Sequence, residues 1–495
     1  MNYPHLYKPS VPPNFFRHQV ADQVMETPLL VTRVLESECD DDYTRVKSFN
    51  EAKLVVWTET VKLWEIAVPV ALTSLSQYLL ISSTAIFAGH LGDLELSSIS
   101  VCNSVLGTIS FALLIGMSTA MGTICGQAYG AGQIQSLGIY LQRSWIVLLT
   151  TCIILLPIYI YATPFLKLLG QDNDIAELAG YYSILSIPTM FSNAINLSTQ
   201  RFLQFQNKVS VIMFIAFATL LIHNALLYLF IYVFSWGITG AAMAFNISSW
   251  VNAVAQVVYA IGWCKEAWTG LSWLAFSDLW GFARLCLASS VMICFEQWYT
   301  PCVMLLVGHL HNPVIAVGSY SICQNFFDWQ RMLLLGINVS VSVRVSNTLG
   351  MRHPRAAMYS FLVAMLYSIL IGLVLMTIIF LSKDNLAMIF TNSKDMQLAV
   401  TDLAYLLGLT MVINSAAQVM SGFAIGIGWQ VMVAYINLAC YFIVGLALAI
   451  LLGFAANLGV KGLWGGTMCG SILQILCLLL VIWKTNWTKE VIYRV

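Results

Sequence analysis

Phe87-Ala88-Gly89-His90-Leu91-Gly92 in the first half of the chain is echoed by Leu306-Val307-Gly308-His309-Leu310-His311 in the second, 219 positions later (308 − 89). Outward from that pair the echo continues. Gly130 answers Gly350 at an offset of 220, and Gly237-x-x-Gly240 answers Gly459-x-x-Gly462 at 222. A nearly constant offset over most of the chain marks an internal duplication. Both copies consist of apolar stretches of membrane length. A duplicated polytopic chain of this kind points to a carrier whose site lies between its repeats.

Composition supports the membrane reading. Hydrophobic residues make up 59% of the chain and charged residues 9%, whereas ordinary soluble domains carry roughly 25% charge. Basic and acidic side chains balance at 23 each, so nothing favours a nucleic-acid partner. Twelve spans are read, from Trp64–His90 to Val460–Trp483, each close to the ~20 apolar residues that cross a bilayer. Six spans per half is an even number, so both halves enter the membrane in the same sense. The expected fold is an all-α polytopic membrane protein, with twelve transmembrane helices in two six-helix lobes. Their pseudo-two-fold axis should lie along the membrane normal.

The lobes are expected over 61–264 and 283–484, joined by a cytosolic linker over 265–282 and followed by a short tail over 485–495. Basic residues set the orientation. Arg143, Arg201, Lys208, Lys265, Arg284, Arg344, Arg352 and Arg355 fall in or beside loops on the N-terminal side. Lys167, Lys383, Lys394 and Lys461 fall on the other. That excess predicts both termini in the cytosol. Residues 1–60 are polar, carry the acidic run Glu36–Asp42 and show no apolar signal-peptide core. They read as a disordered cytosolic tail.

No enzyme chemistry is visible. Most of the 12 cysteines fall inside apolar spans, where they behave as small hydrophobes. None of the 7 histidines has metal-ligand spacing. No paired catalytic carboxylates or nucleophile triad occurs, and no cofactor or metal is expected.

Charges inside a bilayer are expensive and mark function. Three stand near span centres: Glu296, Asp328 and Arg331. Glu296 has no lysine or arginine within a helical turn. Such a group can be neutral in oil and ionised in water, so its charge can follow the cavity from one side to the other. That suits a proton-coupled carrier. The alternative is a protonated glutamate that only bonds a neighbouring helix. Pro301 cannot donate to the Gln297 carbonyl, so the helix is expected to bend or open there. Asp328 and Arg331, three apart, can pair on one helical face; a second proton site at Asp328 is the sharper reading.

Uncharged groups complete the lining. Asn325 shares the helix of Asp328, and Asn414 and Gln418 share a face four residues apart. Tyr299 lies one turn from Glu296. In the first half, Gln77 with Ser74, Ser76, Ser82, Ser83 and Thr84 dots the first span, and His223 and Asn224 sit in the fifth. Most of the serines read as interhelical hydrogen bonds. Phe295, Trp298, Phe326, Phe327 and Trp329 flank the polar cluster, which suits a flat organic molecule.

Several motifs resemble a known family. Cys125-Gly-Gln-Ala-Tyr-Gly-Ala131, Tyr140-Leu-Gln-Arg-Ser-Trp145, Ser342-Val-Arg-Val-Ser-Asn347 with Leu349-Gly350, and Gly426-Ile-Gly-Trp-Gln430 resemble the plant branch of the multidrug and toxic compound extrusion (MATE) family. So does Phe87–Gly92, and the resemblance runs from about Glu65 to Trp483. It implies a carrier that exports organic compounds by alternating access, driven by protons or sodium ions. Plant members are taken to be proton antiporters of the vacuolar or plasma membrane. The resemblance also matches Glu296 to the family's proton-coupling glutamate. Two positions depart. Asn414 stands where many members carry aspartate, and Gly122 where many carry an acid. Coupling by Glu296 alone, substitution by Asp328, or weakened coupling therefore all remain open.

The expected function is a monomeric antiporter that exchanges protons for xenobiotics or secondary metabolites such as flavonoids or alkaloids. A lipid-linked sugar flippase of related architecture and a polytopic receptor are the rivals. The flippase would line its cavity with basic residues, and only Arg331, near a span centre, qualifies.

Overall fold

The computed structural model of the chain describes residues 42–485 and 487, with 311 and 392 excepted. The expected tail lies largely outside the described residues. Residues 42–44 hold no helix, and from Arg45 the chain forms one compact unit.

Twelve long helices follow in order: α1 (Phe49–Gly89), α2 (Asp93–Gly130), α3 (Ser136–Ile160), α4 (Asn173–Phe205), α5 (Val209–Val233), α6 (Gly237–Trp263), α7 (Leu279–Val307), α8 (Pro313–Gly350), α9 (Pro354–Ser382), α10 (Lys394–Ile427), α11 (Gln430–Ala455) and α12 (Gly459–Lys484). Eleven are long and apolar enough to cross a membrane. The remaining one, α4, is less apolar because it buries Thr189, Ser192, Asn196, Ser198 and Thr199 inside the bundle. No strand occurs among the described residues. Helices α1–α6 pack into one lobe and α7–α12 into the other. Between lobes, α1 meets α8 and α9, while α2 meets α7 and α8.

Local chemistry sets the ends. Ser48 caps α1, its hydroxyl accepting from the Glu51 N–H at 3.3 Å. Helix α1 thus begins at Phe49, ahead of the tail boundary expected at 60. Its 41 residues measure about 60 Å, roughly twice the hydrocarbon thickness. The polar first turns therefore project beyond the apolar layer, where hydropathy gives no signal. Pro313 and Pro354 open α8 and α9, where a missing N–H is harmless. Gly428, at φ 95°, closes α10. Helix α7 stays helical through Pro301.

The repeat read from sequence recurs in space. Gly126 meets Ser346, its own counterpart (346 − 126 = 220), so the two-fold axis passes between them. A Cβ on Gly130 would collide with the Asn347 carbonyl oxygen, and one on Gly350 with the Gln127 carbonyl oxygen. Both pairs of partners are 220 apart (350 − 130 and 347 − 127). The side chains follow suit. Gln127 Nε2 donates to the Ile427 carbonyl at 3.1 Å, and Asn347 Nδ2 to the Phe205 carbonyl at 3.3 Å. Those carbonyls belong to the last residues of α10 and α4. Only glycine lets the backbones approach this closely, and the result is a tight inter-lobe seam at the ends of α2 and α8. Farther along, Ser235 and Asn457 are both left-handed at φ 54°. The π-helical turns just before them, Leu229–Val233 and Leu451–Ala455, repeat as well.

Candidate functional site

Above the seam the lobes enclose a central cavity of about 510 Å³. Helices α1, α2 and α4 of one lobe and α7, α8 and α10 of the other line it. Gln77, Glu296, Asn325, Asp328 and Gln418, all singled out from sequence, border it. Tyr299 and Asn414 do not; they line a smaller pocket of about 100 Å³ inside the second lobe. Glu296, Arg331, Gln418 and Ser421 border both spaces. The two groups of candidates therefore meet at Glu296.

Glu296 Oε1 accepts from Asn437 Nδ2 at 3.2 Å and from Ser421 Oγ at 3.3 Å. Both donors are neutral. Behind Asn437 a chain of amides continues: Gln474 Nε2 donates to Asn437 Oδ1 at 2.7 Å, and Tyr441 Oη donates to Gln474 Oε1 at 2.6 Å. Tyr441 stacks on Tyr299, ring centroids 5.0 Å apart. A π-helical stretch of α11, Leu438–Gly445, starts just after Asn437. Helix α7 keeps its helical backbone through Pro301, and the π-helical widening lies on the facing helix.

Asp328 is held differently. Its Oδ1 lies 3.6 Å from Arg331 Nη1 and accepts from Gln324 Nε2 at 3.3 Å. Arg331 Nη2 also donates to Gln297 Oε1 at 3.4 Å. The intrahelical ion pair read from the spacing is present.

The MatE family model matches the chain twice, over residues 69–229 and 288–451, once in each lobe. The chain belongs to the MATE family. It is 54% identical over 456 residues to Protein DETOXIFICATION 34 of Arabidopsis thaliana, covering 92% of this chain and 84% of that protein. It is likewise 54% identical over 454 residues to Protein DETOXIFICATION 35 of Arabidopsis thaliana, covering 92% and 93%. Its fold matches the crystal structure of the eukaryotic MATE transporter AtDTX14 with a TM-score of 0.83 and 30% identity, over 89% of this chain and 99% of that one. A Vibrio cholerae MATE transporter, VcmN in its bent form, matches with a TM-score of 0.78 at 16% identity, over 89% and 99%, which speaks to fold alone. The protein is thus a MATE transporter of the efflux and detoxification class and an integral membrane protein.

Within this MATE transporter the two departures noted from sequence have structural settings. Asn414 Nδ2 donates to Gln330 Oε1 at 3.4 Å, and Gln330 Nε2 donates to Ser415 Oγ at 3.0 Å. An amide thus completes a neutral network. At Gly122, a Cβ would lie 2.5 Å from Phe205 Cε2, so that aromatic ring occupies the room an acidic side chain would need.

Other expectations fare unevenly. Ser76, Ser83 and Thr84 bond carbonyls of their own helix. His223 joins Thr84 and Ser248, each at 3.0 Å, and pins α1, α5 and α6 together. Trp329 lines the central cavity and Phe327 the smaller pocket. Phe295, Trp298 and Phe326 border neither. Arg201, assigned from sequence to a loop flank, instead lines the central cavity. Arg331 is therefore not the only basic lining residue. The available signal was the polar spacing Gln200, Arg201, Gln204, which continues the face of α4 past Thr199.

Proposed function

We propose that this MATE transporter is a secondary antiporter that exports organic compounds from the cytosol in exchange for protons by alternating access. It acts as a monomer in the vacuolar or plasma membrane with both termini cytosolic. The observation that carries this reading is the place of Glu296, a carboxyl group between two cavities with only neutral hydrogen-bond donors. With cytosolic termini, the seam closes the cytosolic side.

In this cycle Glu296 takes a proton from the acidic side. Its bonds to Asn437 and Ser421 relax, and the cavity loses affinity for cargo. On the cytosolic side the proton leaves and cargo rebinds. A tenfold proton gradient supplies about 1.4 kcal/mol, and a potential of ~100 mV adds roughly 2.3 kcal/mol per charge moved. One proton per cycle thus supports roughly several-hundred-fold concentration of a neutral cargo.

The test is uptake into proteoliposomes with an imposed pH step. Glu296→Gln should abolish pH-driven uptake while the purified protein stays monodisperse. Uptake at the wild-type rate would remove Glu296 from the cycle.

A further inference from the structure

The central cavity carries a cation that proton coupling leaves idle. Arg201 lies one turn before the end of α4 and borders the cavity with Gln200 and Gln204. Its Nη1 donates to Gln204 Oε1 at 3.0 Å. No carboxylate pairs with it among the described residues. Across the lobe boundary, Ser342 of α8 borders the same cavity. It is 4% exposed, and its hydroxyl has no hydrogen-bond partner. The neighbouring Asn338 amide is already committed, donating to the Gln418 carbonyl at 2.8 Å.

The cavity's other cation differs. Arg331 lies beside Asp328 and is neutralised by it. The two cavity carboxyls, Glu296 and Asp328, both stand on the second lobe. Arg201 is thus a guanidinium facing a membrane-embedded cavity with one neutral partner. A guanidinium presents a planar fork of five N–H donors, matched to carboxylate geometry. Within a membrane protein such a fork without a counter-ion is a site for an anion.

We propose that Arg201, with Gln200 and Ser342, forms a carboxylate-binding subsite at the seam end of the central cavity, so that the preferred cargo is an aromatic organic acid. The ring system lies toward Tyr78, Phe111 and Trp329, which border the same space, and the carboxylate meets Arg201. This deepens the transport reading above and rests on it: Arg201 holds the carboxylate from the first lobe, while Glu296 acts from the second through its bonds to Asn437 and Ser421 and not through its charge on the cargo. Exchange of such a monoanion for one proton moves two charges per cycle in the same electrical sense.

The test is equilibrium binding to the purified full-length protein, without any gradient. The probes are naphthyl glucoside and naphthyl glucuronide, which differ in a hydroxymethyl group against a carboxylate. Wild type should bind the glucuronide at least about tenfold more tightly. Arg201→Gln should erase that preference and leave glucoside affinity within about twofold, and Arg201→Lys should keep part of the preference. Equal binding of both probes by wild type overturns the proposal, even if no Arg201 variant folds. So does an equal loss of both probes in Arg201→Gln, or an undiminished preference. Because no proton gradient is used, these outcomes are independent of whether Glu296 couples transport.

Discussion

Arg344 Nη2 of α8 stands 2.7 Å from Glu59 Oε1 of α1, and Arg344 Nε donates to Glu59 Oε2 at 3.1 Å. The fork-to-fork pair joins the lobes. Glu59 is fully buried, and Ser360 of α9 also donates to its Oε2. Removing one partner of a buried pair leaves the other charge uncompensated, which costs about 3–5 kcal/mol. Arg344→Ala should therefore lower thermal stability in detergent markedly. Arg344→Lys should restore only part, because an ammonium cannot make the bidentate contact. The double variant Glu59→Gln/Arg344→Gln should be less unstable than the sum of its singles. Strict additivity in that cycle would show that the two residues do not depend on each other.

The glycine seam makes a symmetric prediction. Gly130→Ala and Gly350→Ala should each lose about 1–3 kcal/mol through overpacking, and by similar amounts, since each new methyl meets an equivalent carbonyl. Gly262 in α6 has nothing within 4 Å of the place a methyl would take. Gly262→Ala should be neutral or stabilise by up to about 1 kcal/mol. Thermal melts of the three variants decide it, and a seam variant as stable as Gly262→Ala would contradict the close approach.

Asp328 and Glu296 should part company. Asp328 is 46% exposed at its side chain and lies against Arg331, so its charge already has a partner. Asp328→Asn should keep pH-driven uptake in proteoliposomes, at a reduced rate, where Glu296→Gln loses it. Complete loss in Asp328→Asn would move the coupling site to the ion pair.

His223 is a test of structure against chemistry. It is buried and holds two hydroxyls on neighbouring helices. His223→Ala should destabilise the protein by about 1–3 kcal/mol through the stranded partners. The pH dependence of uptake should not change. A shifted pH profile would assign His223 to proton movement instead.

Much of this architecture was legible from residue types. The offset between Gly89 and Gly308 foretold the two lobes because duplicated helices must pack in duplicated ways, and Gly130 and Gly350 are where they do. Glu296 stood out because a lone acid in an apolar run is too costly to keep without a use. Arg201 did not, because hydropathy ends the fourth span at Thr199 while backbone hydrogen bonding carries α4 to Phe205. Glu59 was hidden for a related reason. It precedes the apolar run of α1, and its partner Arg344 is 285 positions away. Asn437 and Gln474 carry ordinary amides, and only proximity gives them a role beside Glu296.

The paired contacts at Gly130 and Gly350 have the form of an isologous interface, in which one patch serves both partners. A half-length chain with a single such glycine, and a single amide reaching across as Gln127 and Asn347 do, would dock onto its own copy through the same bonds. Fusing two such copies would free each to change alone. Glu296 has taken that freedom: at the offset of 219 that relates Gly89 to Gly308, its counterpart is Gln77, an uncharged amide on α1.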